Sequence, residues 1–176
     1  MGKLKGQFQA LLGQTIASVA RVALAQDNDT SPLMDTLLFT LTDSRNFELL
    51  VEQDTVKFEE LSTTNGLFAG FELEPREKLA ILPSEEIAGI PQKVASLTEI
   101  WAGKGETEFL VAVSFWNRDK QHIVSVCTEG DEAELMNLEE LRQRIDDMIF
   151  SYGTLSHQLY TSAREDTRSP VTLAAS

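Results

Sequence analysis

The chain has 176 residues, 42% of them apolar, and carries 28 acidic against 15 basic residues for a net charge of −13. A chain of this length suits a single domain, and its apolar content excludes a disordered protein. The negative charge would repel a phosphate backbone, so we expect no nucleic-acid partner and regard a basic protein as the better electrostatic match.

The N-terminal segment combines a short predicted helix with a predicted strand. Residues 3–12 place apolar side chains at helical spacing before Gly13, which is typical of a helix end. Residues 15–24 fit either a helix or a strand, and their β-branched side chains favour a strand. No run approaches the ~20 apolar residues that cross a bilayer, so we expect no membrane span. Polar residues interrupt the apolar N-terminal stretch, which favours a cytoplasmic protein over a secreted one.

The first half of the chain continues with a β-hairpin pattern. Residues 36–42 and 46–52 are apolar runs separated by turn residues, which predicts two paired antiparallel strands. Val56 and Phe58 indicate a further short strand. Between residues 62 and 83 the pattern weakens: residues 63–66 predict a loop, and the apolar residues that follow indicate a packed connection with a short strand on each side of Pro75.

The second half repeats these features in the same order. Residues 83–86 predict the start of a short helix that Gly89 ends, and residues 91–102 again fit either a helix or a strand. Residues 109–115 and 123–126 predict a second hairpin.

The C-terminal part contains the clearest helix signal of the sequence. Asn137 followed three residues later by Glu140 matches a capping box, and the apolar stripe behind it ends near Gly153. Residues 161–176 are small and polar and predict a flexible tail.

The repetition of these features predicts an internal duplication. We expect an α+β fold in which two similar helix-plus-antiparallel-sheet units, at about residues 3–62 and 83–152, share one core and are followed by a C-terminal helix. Residues 1–160 would then form one globular domain. Two copies can bury a common face that one copy would leave exposed.

The side chains that usually carry catalysis or metals are few. Cys127 ends an apolar run among acids, which predicts a half-buried, inert thiol. His122 and His157 lie on different elements and have no ligand partner at a fixed spacing. No Gly-x-Ser-x-Gly motif is present. We therefore expect no catalytic residue, no cofactor and no metal site, and a protein that is not an enzyme.

Dense acid clusters occur at matching points of the two copies, and they can be interpreted in two ways. Carboxylates of this kind bind divalent cations or act as acid–base pairs, but they also keep strand edges solvated and block aggregation. Trp116 follows Phe115 on an alternating strand, so it either packs or becomes an exposed contact residue. The candidate interaction residues are Trp116, Glu129, Asp131, Glu132, Glu134, Asp54, Glu59 and Glu60.

These features favour an acidic, non-enzymatic interaction protein. Its concrete form would be a bacterial immunity or antitoxin-like inhibitor of a basic protein partner. The first alternative is a self-associating structural or regulatory subunit, such as a homodimer formed through the last helix or an exposed Trp116. The second alternative is a divalent-metal-binding module built on the acid clusters.

Overall fold

A computed structural model of the protein describes residues 5–62 and 73–162. In the first half the strands are β1 (Thr15–Gln26), β2 (Asp29–Leu41), β3 (Asn46–Glu52), β4 (Thr55–Glu60) and β5 (Glu77–Ser84). In the second half they are β6 (Gln92–Lys93), β7 (Ser96–Ala102), β8 (Phe109–Trp116), β9 (His122–Cys127), β10 (Glu134–Met136) and β11 (Leu155–Thr161). The helices are α1 (Leu138–Tyr152), which lies between β10 and β11, and two 3-10 helices at Gln7–Leu11 and Gly105–Thr107.

The strands form two antiparallel sheets. Sheet A has the order β4-β3-β2-β1-β5, with β6 also beside β1, and sheet B has the order β10-β9-β8-β7-β11. In each sheet four consecutive strands form a meander, and a fifth strand returns to pair with the first. The two sheets therefore repeat one strand order.

The core lies between the two sheets, and a second layer lies outside sheet B. Phe39 of sheet A meets Phe115 of sheet B with ring centroids 6.1 Å apart, and Phe8 of the first 3-10 helix packs beside them. On the other face of sheet B, α1 buries Leu141 and Met148. The protein is therefore built of three layers: sheet A, sheet B and α1.

The predicted pair of helix-plus-sheet units is wrong, because the fold is mostly β, with two antiparallel sheets and one α-helix among the described residues. Residues 91–102 form strands, and the helix predicted at residues 83–86 is absent because Pro83 belongs to β5. Of the helix predicted at residues 3–12, residues 3 and 4 lie outside the described residues, and the described part contains the 3-10 helix Gln7–Leu11 in place of an α-helix. Strands of sheet B are covered on both faces, so their runs are nearly all apolar, and such runs also fit helical spacing.

Other predicted elements are confirmed. Residues 15–24 lie in β1, and the two hairpins are β2–β3 and β8–β9. Cys127, which was predicted to be half-buried, is a fully buried free thiol in the layer beneath α1, and this burial raises its pKa. Of the predicted tail at residues 161–176, Thr161 ends β11, and residues 163–176 lie outside the described residues.

The predicted capping box at the start of α1 is also present. Asn137 Oδ1 accepts a hydrogen bond from Glu140 N at 2.9 Å, and Glu140 Oε2 accepts one from Asn137 N at 2.8 Å. Gly153 follows the helix with φ +81°. Both ends of α1 therefore satisfy backbone groups that a helix leaves open.

Replacing Asn137 by Ala should lower the free energy of unfolding by about 1 kcal/mol, because the N–H of Glu140 loses its acceptor. Urea denaturation measures this change. Gln143→Ala on the solvent-facing side of the same helix is the control, and it should have almost no effect. Equal effects of the two substitutions would contradict the role of the cap.

Candidate functional site

The structure brings two acidic turns together at one corner of the sandwich. The β3–β4 turn contains Gln53 and Asp54, both with positive φ, and the β9–β10 turn contains Asp131. Asp131 Oδ1 accepts a hydrogen bond from Gln53 N at 3.1 Å, across 78 positions of sequence. We call Asp54, Glu129, Asp131, Glu132 and Glu134 the acidic corner.

Helix α1 borders the acidic corner and supplies its contacts. Arg144 lies 3.0 Å from Glu134 and 3.6 Å from Glu129, measured between guanidinium nitrogens and carboxylate oxygens. Tyr152 Oη donates to Glu129 Oε1 at 2.9 Å. Desolvation and the neighbouring carboxylates of Glu129 and Asp54 raise the pKa of Tyr152. The negative charge of the corner therefore extends to the last turn of α1.

The charge of the corner is only partly neutralised. Within the described part of the chain, Arg144 is the one base that forms ion pairs with it. Glu132 and Asp131 are exposed at the tip of the β9–β10 turn. Because one arginine offsets the charge of only one carboxylate, the corner keeps most of its attraction for a positively charged surface.

Three candidate residues lie away from the corner. Glu59 and Glu60 are at the other end of β4, about 16 Å along the strand from Asp54. Trp116 ends β8 at the far end of sheet B, where its half-buried ring packs edge-on against His122 with centroids 5.2 Å apart. These residues do not share a surface with the acidic corner.

The histidines and acids form no metal centre in the described ranges. Residues 5–62 and 73–162 contain no group of three or more His, Cys, Asp or Glu side chains placed to hold a metal ion. His122 Nε2 instead lies 2.6 Å from Ser125 Oγ, and desolvation and then the charge of Arg142 lower its pKa.

Among the helices of the described ranges, none has the length and apolar character needed to cross a membrane.

Phe150 is a surface residue that the sequence pattern did not identify. It is 93% exposed, and on a helical wheel it points away from the buried Leu141 and Met148. Asp146 and Asp147 lie one turn before it. The exposure of Phe150 could have been predicted from the sequence, because the residue lies outside the apolar stripe of α1 and an aromatic side chain there cannot reach the core.

Glu99 is a second residue that the sequence reasoning missed. It is 1% exposed, inside the sandwich on β7. Its Oε1 accepts from Gly6 N at 2.9 Å, and its Oε2 accepts from Trp101 Nε1 at 3.2 Å and Tyr160 Oη at 3.3 Å. Desolvation raises the pKa of Glu99, whereas these hydrogen bonds and the charge of Lys5 act in the opposite direction. In the sequence, the signal for Glu99 was a carboxylate within a largely apolar predicted strand.

No family model, curated protein or solved structure matches this chain.

Proposed function

We propose that the protein is a cytoplasmic, non-enzymatic interaction protein whose acidic corner binds a basic protein partner. The observation that carries the proposal is the contact between Gln53 and Asp131, which joins two acidic turns from different sheets into one surface. Five carboxylates meet there, and one arginine among the described residues pairs with them.

The physical basis of recognition would be electrostatic. A protein with a net charge of −13 attracts a basic partner over long range, and a local concentration of carboxylates orients the encounter. Exposed charges act mainly on the association rate, and salt screens them within about 10 Å at 0.1 M. Binding should therefore weaken strongly as ionic strength rises.

A partner that covers both the acidic corner and the outer face of α1 would use Phe150 as its apolar anchor. Its ring is almost fully exposed, and Asp146 and Asp147 place negative charge beside it. Binding energy commonly concentrates in a few large side chains surrounded by polar contacts. The matching partner would have an apolar pocket with basic residues at its rim. A bacterial immunity or antitoxin-like inhibitor of such a basic protein is the concrete form of the proposal.

The proposal is tested by charge substitutions at the corner. The immobilised protein captures partners from extracts of its source cells, and a retained basic protein is purified and titrated. The variant Asp54→Asn, Asp131→Asn, Glu132→Gln, Glu134→Gln should bind at least about tenfold more weakly at low salt, through a slower association rate. Glu59→Gln with Glu60→Gln on the far end of β4 is the control and should bind nearly like the wild type.

The variant Phe150→Ala tests the contribution of the aromatic ring to binding independently of the carboxylates. Removing the ring should raise the dissociation rate about tenfold or more, because a buried aromatic contact is lost from the complex. The free energy of unfolding should change by less than about 0.5 kcal/mol, since the ring is exposed. Ile81→Ala on β5, which is 53% exposed, is the matched surface control.

Two results would contradict the proposed function. One is a partner whose affinity does not change between low and high salt. The other is equal binding by the corner variant and the β4 control.

A further inference from the structure

Three of the four outer edges of the two sheets are protected against pairing with another strand. On β4 the side chain of Gln7 occupies the edge: its Nε2 donates to Val56 O at 2.9 Å, and its Oε1 accepts from Phe58 N at 3.0 Å. This strand also carries Lys57, Glu59 and Glu60. Charges and covering groups of this kind are the usual protection of an open edge.

The edges at β5 and β10 are protected in other ways. The edge strand β5 carries Glu77, Lys78 and Pro83. The edge strand β10 has only three residues, and the preceding Ala133 donates its N–H to Met34 O of sheet A at 2.8 Å. A short strand that is tied to the opposite sheet offers little edge for pairing.

The fourth edge, β11, has none of these protections. Its seven residues include no Asp, Glu, Lys, Arg or Pro. It pairs with β7 without a register shift, from Leu155 opposite Ala102 to Thr161 opposite Ser96, and no other strand of the described residues pairs with it.

The backbone groups at the outer edge of β11 can be assigned from the ladder. Ser162 N donates to Ala95 O at 3.0 Å, so even-numbered residues face β7. By alternation, four odd-numbered residues direct their N–H and C=O groups outward. They are Leu155, His157, Leu159 and Thr161.

We infer that β11 pairs antiparallel with β11 of a second copy of the chain, about a two-fold axis at Gln158. In this register His157 lies opposite Leu159 of the second copy, and Leu155 lies opposite Thr161. All four odd-numbered residues then face a backbone partner, which gives about eight hydrogen bonds across the axis. The two B sheets become one continuous sheet.

Charge is the reason that a second copy fits this edge. Each copy has a net charge of −13, so two copies repel each other unless they meet at a surface of low charge. The strand β11 carries no charged side chain, and Glu108, which accepts from Ser156 Oγ, forms an ion pair with Lys5. Partial desolvation lowers the pKa of His157, which favours the neutral form of its ring. An antiparallel strand is self-complementary about a two-fold axis, which is the commonest symmetry of dimers.

Exposed apolar side chains lie beside this edge. Leu159 is 43% exposed, and by alternation it shares the α1 side of sheet B with Leu155, which packs against the layer beneath α1. A second copy would cover apolar surface on this side in addition to pairing the strands.

The two-fold register is tested by a single cysteine. Gln158 would face itself as a pair without direct hydrogen bonds, with Cα atoms about 4.5 Å apart, which suits a disulfide. Gln158→Cys should therefore give a covalent dimer on mild oxidation. Ser156→Cys is the control, because its two copies would lie about 14 Å apart and should not cross-link. The native Cys127 is buried and does not interfere.

The oligomeric state provides the second test. Light scattering of the wild type at about 1 to 100 µM should show twice the mass of one chain at the upper end. Leu159→Lys should give a monomer, because it places a charge in the seam, whereas Ile81→Lys on the β5 edge should remain a dimer. A monomeric wild type throughout, or equal cross-linking of the two cysteine variants, would overturn the inference. Neither outcome bears on binding at the acidic corner.

Discussion

Replacing Phe115 with Ala is expected to lower the free energy of unfolding by about 3–5 kcal/mol. Phe115 has no exposed surface, and it joins the two sheets and the N-terminal 3-10 helix, with ring centroids 6.1 Å from Phe39 and 6.0 Å from Phe8. Its removal would leave a cavity where three parts of the chain meet. Urea denaturation, followed by circular dichroism, measures the change.

Phe150→Ala is the matched control for this substitution, since it removes the same atoms from the surface of α1. It should change the free energy of unfolding by less than about 0.5 kcal/mol. Similar losses for both variants would mean that the two sheets do not share the core described above.

Replacing Glu99 with Gln is expected to destabilise the protein by about 1–3 kcal/mol at pH 7. The carboxylate accepts from three donors, the N–H of Gly6, the indole N–H of Trp101 and the hydroxyl of Tyr160. An amide has one oxygen, so its NH₂ group must face at least one of these donors. That donor would then be buried without an acceptor.

The effect of Glu99 on stability should also depend on pH. Burial raises the pKa of its carboxyl in the folded state, so the folded protein binds this proton more readily than the unfolded chain. Wild-type stability relative to Glu99→Gln should therefore increase as the pH falls from the raised pKa towards the ordinary value near 4.5. Denaturation of both variants between pH 7 and 5 measures the difference. A stability difference between the wild type and Glu99→Gln that becomes smaller towards low pH would contradict the raised pKa of the buried carboxyl.

Local sequence signals predicted the elements whose structure depends mainly on residues that are close together in the chain. The capping pair Asn137 and Glu140 marks the start of α1, and turn residues between alternating runs mark both hairpins. Gly89 shows the limit of such signals. It resembles a helix end in the sequence, but a Cβ there would lie 2.2 Å from the carbonyl oxygen of Ile123, so the residue is small to allow a close approach of chains.

The acidic corner could be predicted only in part. The two acidic turns were recognisable as clusters, but their meeting depends on the packing of sheet A against sheet B, which no local pattern encodes. For the same reason Glu59 and Glu60, which belong to the same cluster in sequence, lie at the other end of their strand. The carboxylate of Glu99 within an apolar strand was visible in the sequence, but its donors Gly6, Trp101 and Tyr160 are brought together only by the fold.

The segment before β1 has a consequence for how the protein can be handled. Gly6 binds the carboxylate of Glu99 on sheet B, Gln7 completes the edge of β4 on sheet A, and Phe8 fills the space between them. Truncation to Leu12 would remove all three at once. Such a shortened protein should lose solubility as well as stability, because a bare β4 edge becomes available for intermolecular aggregation. Shortened versions of the protein should therefore keep Gly6, Gln7 and Phe8.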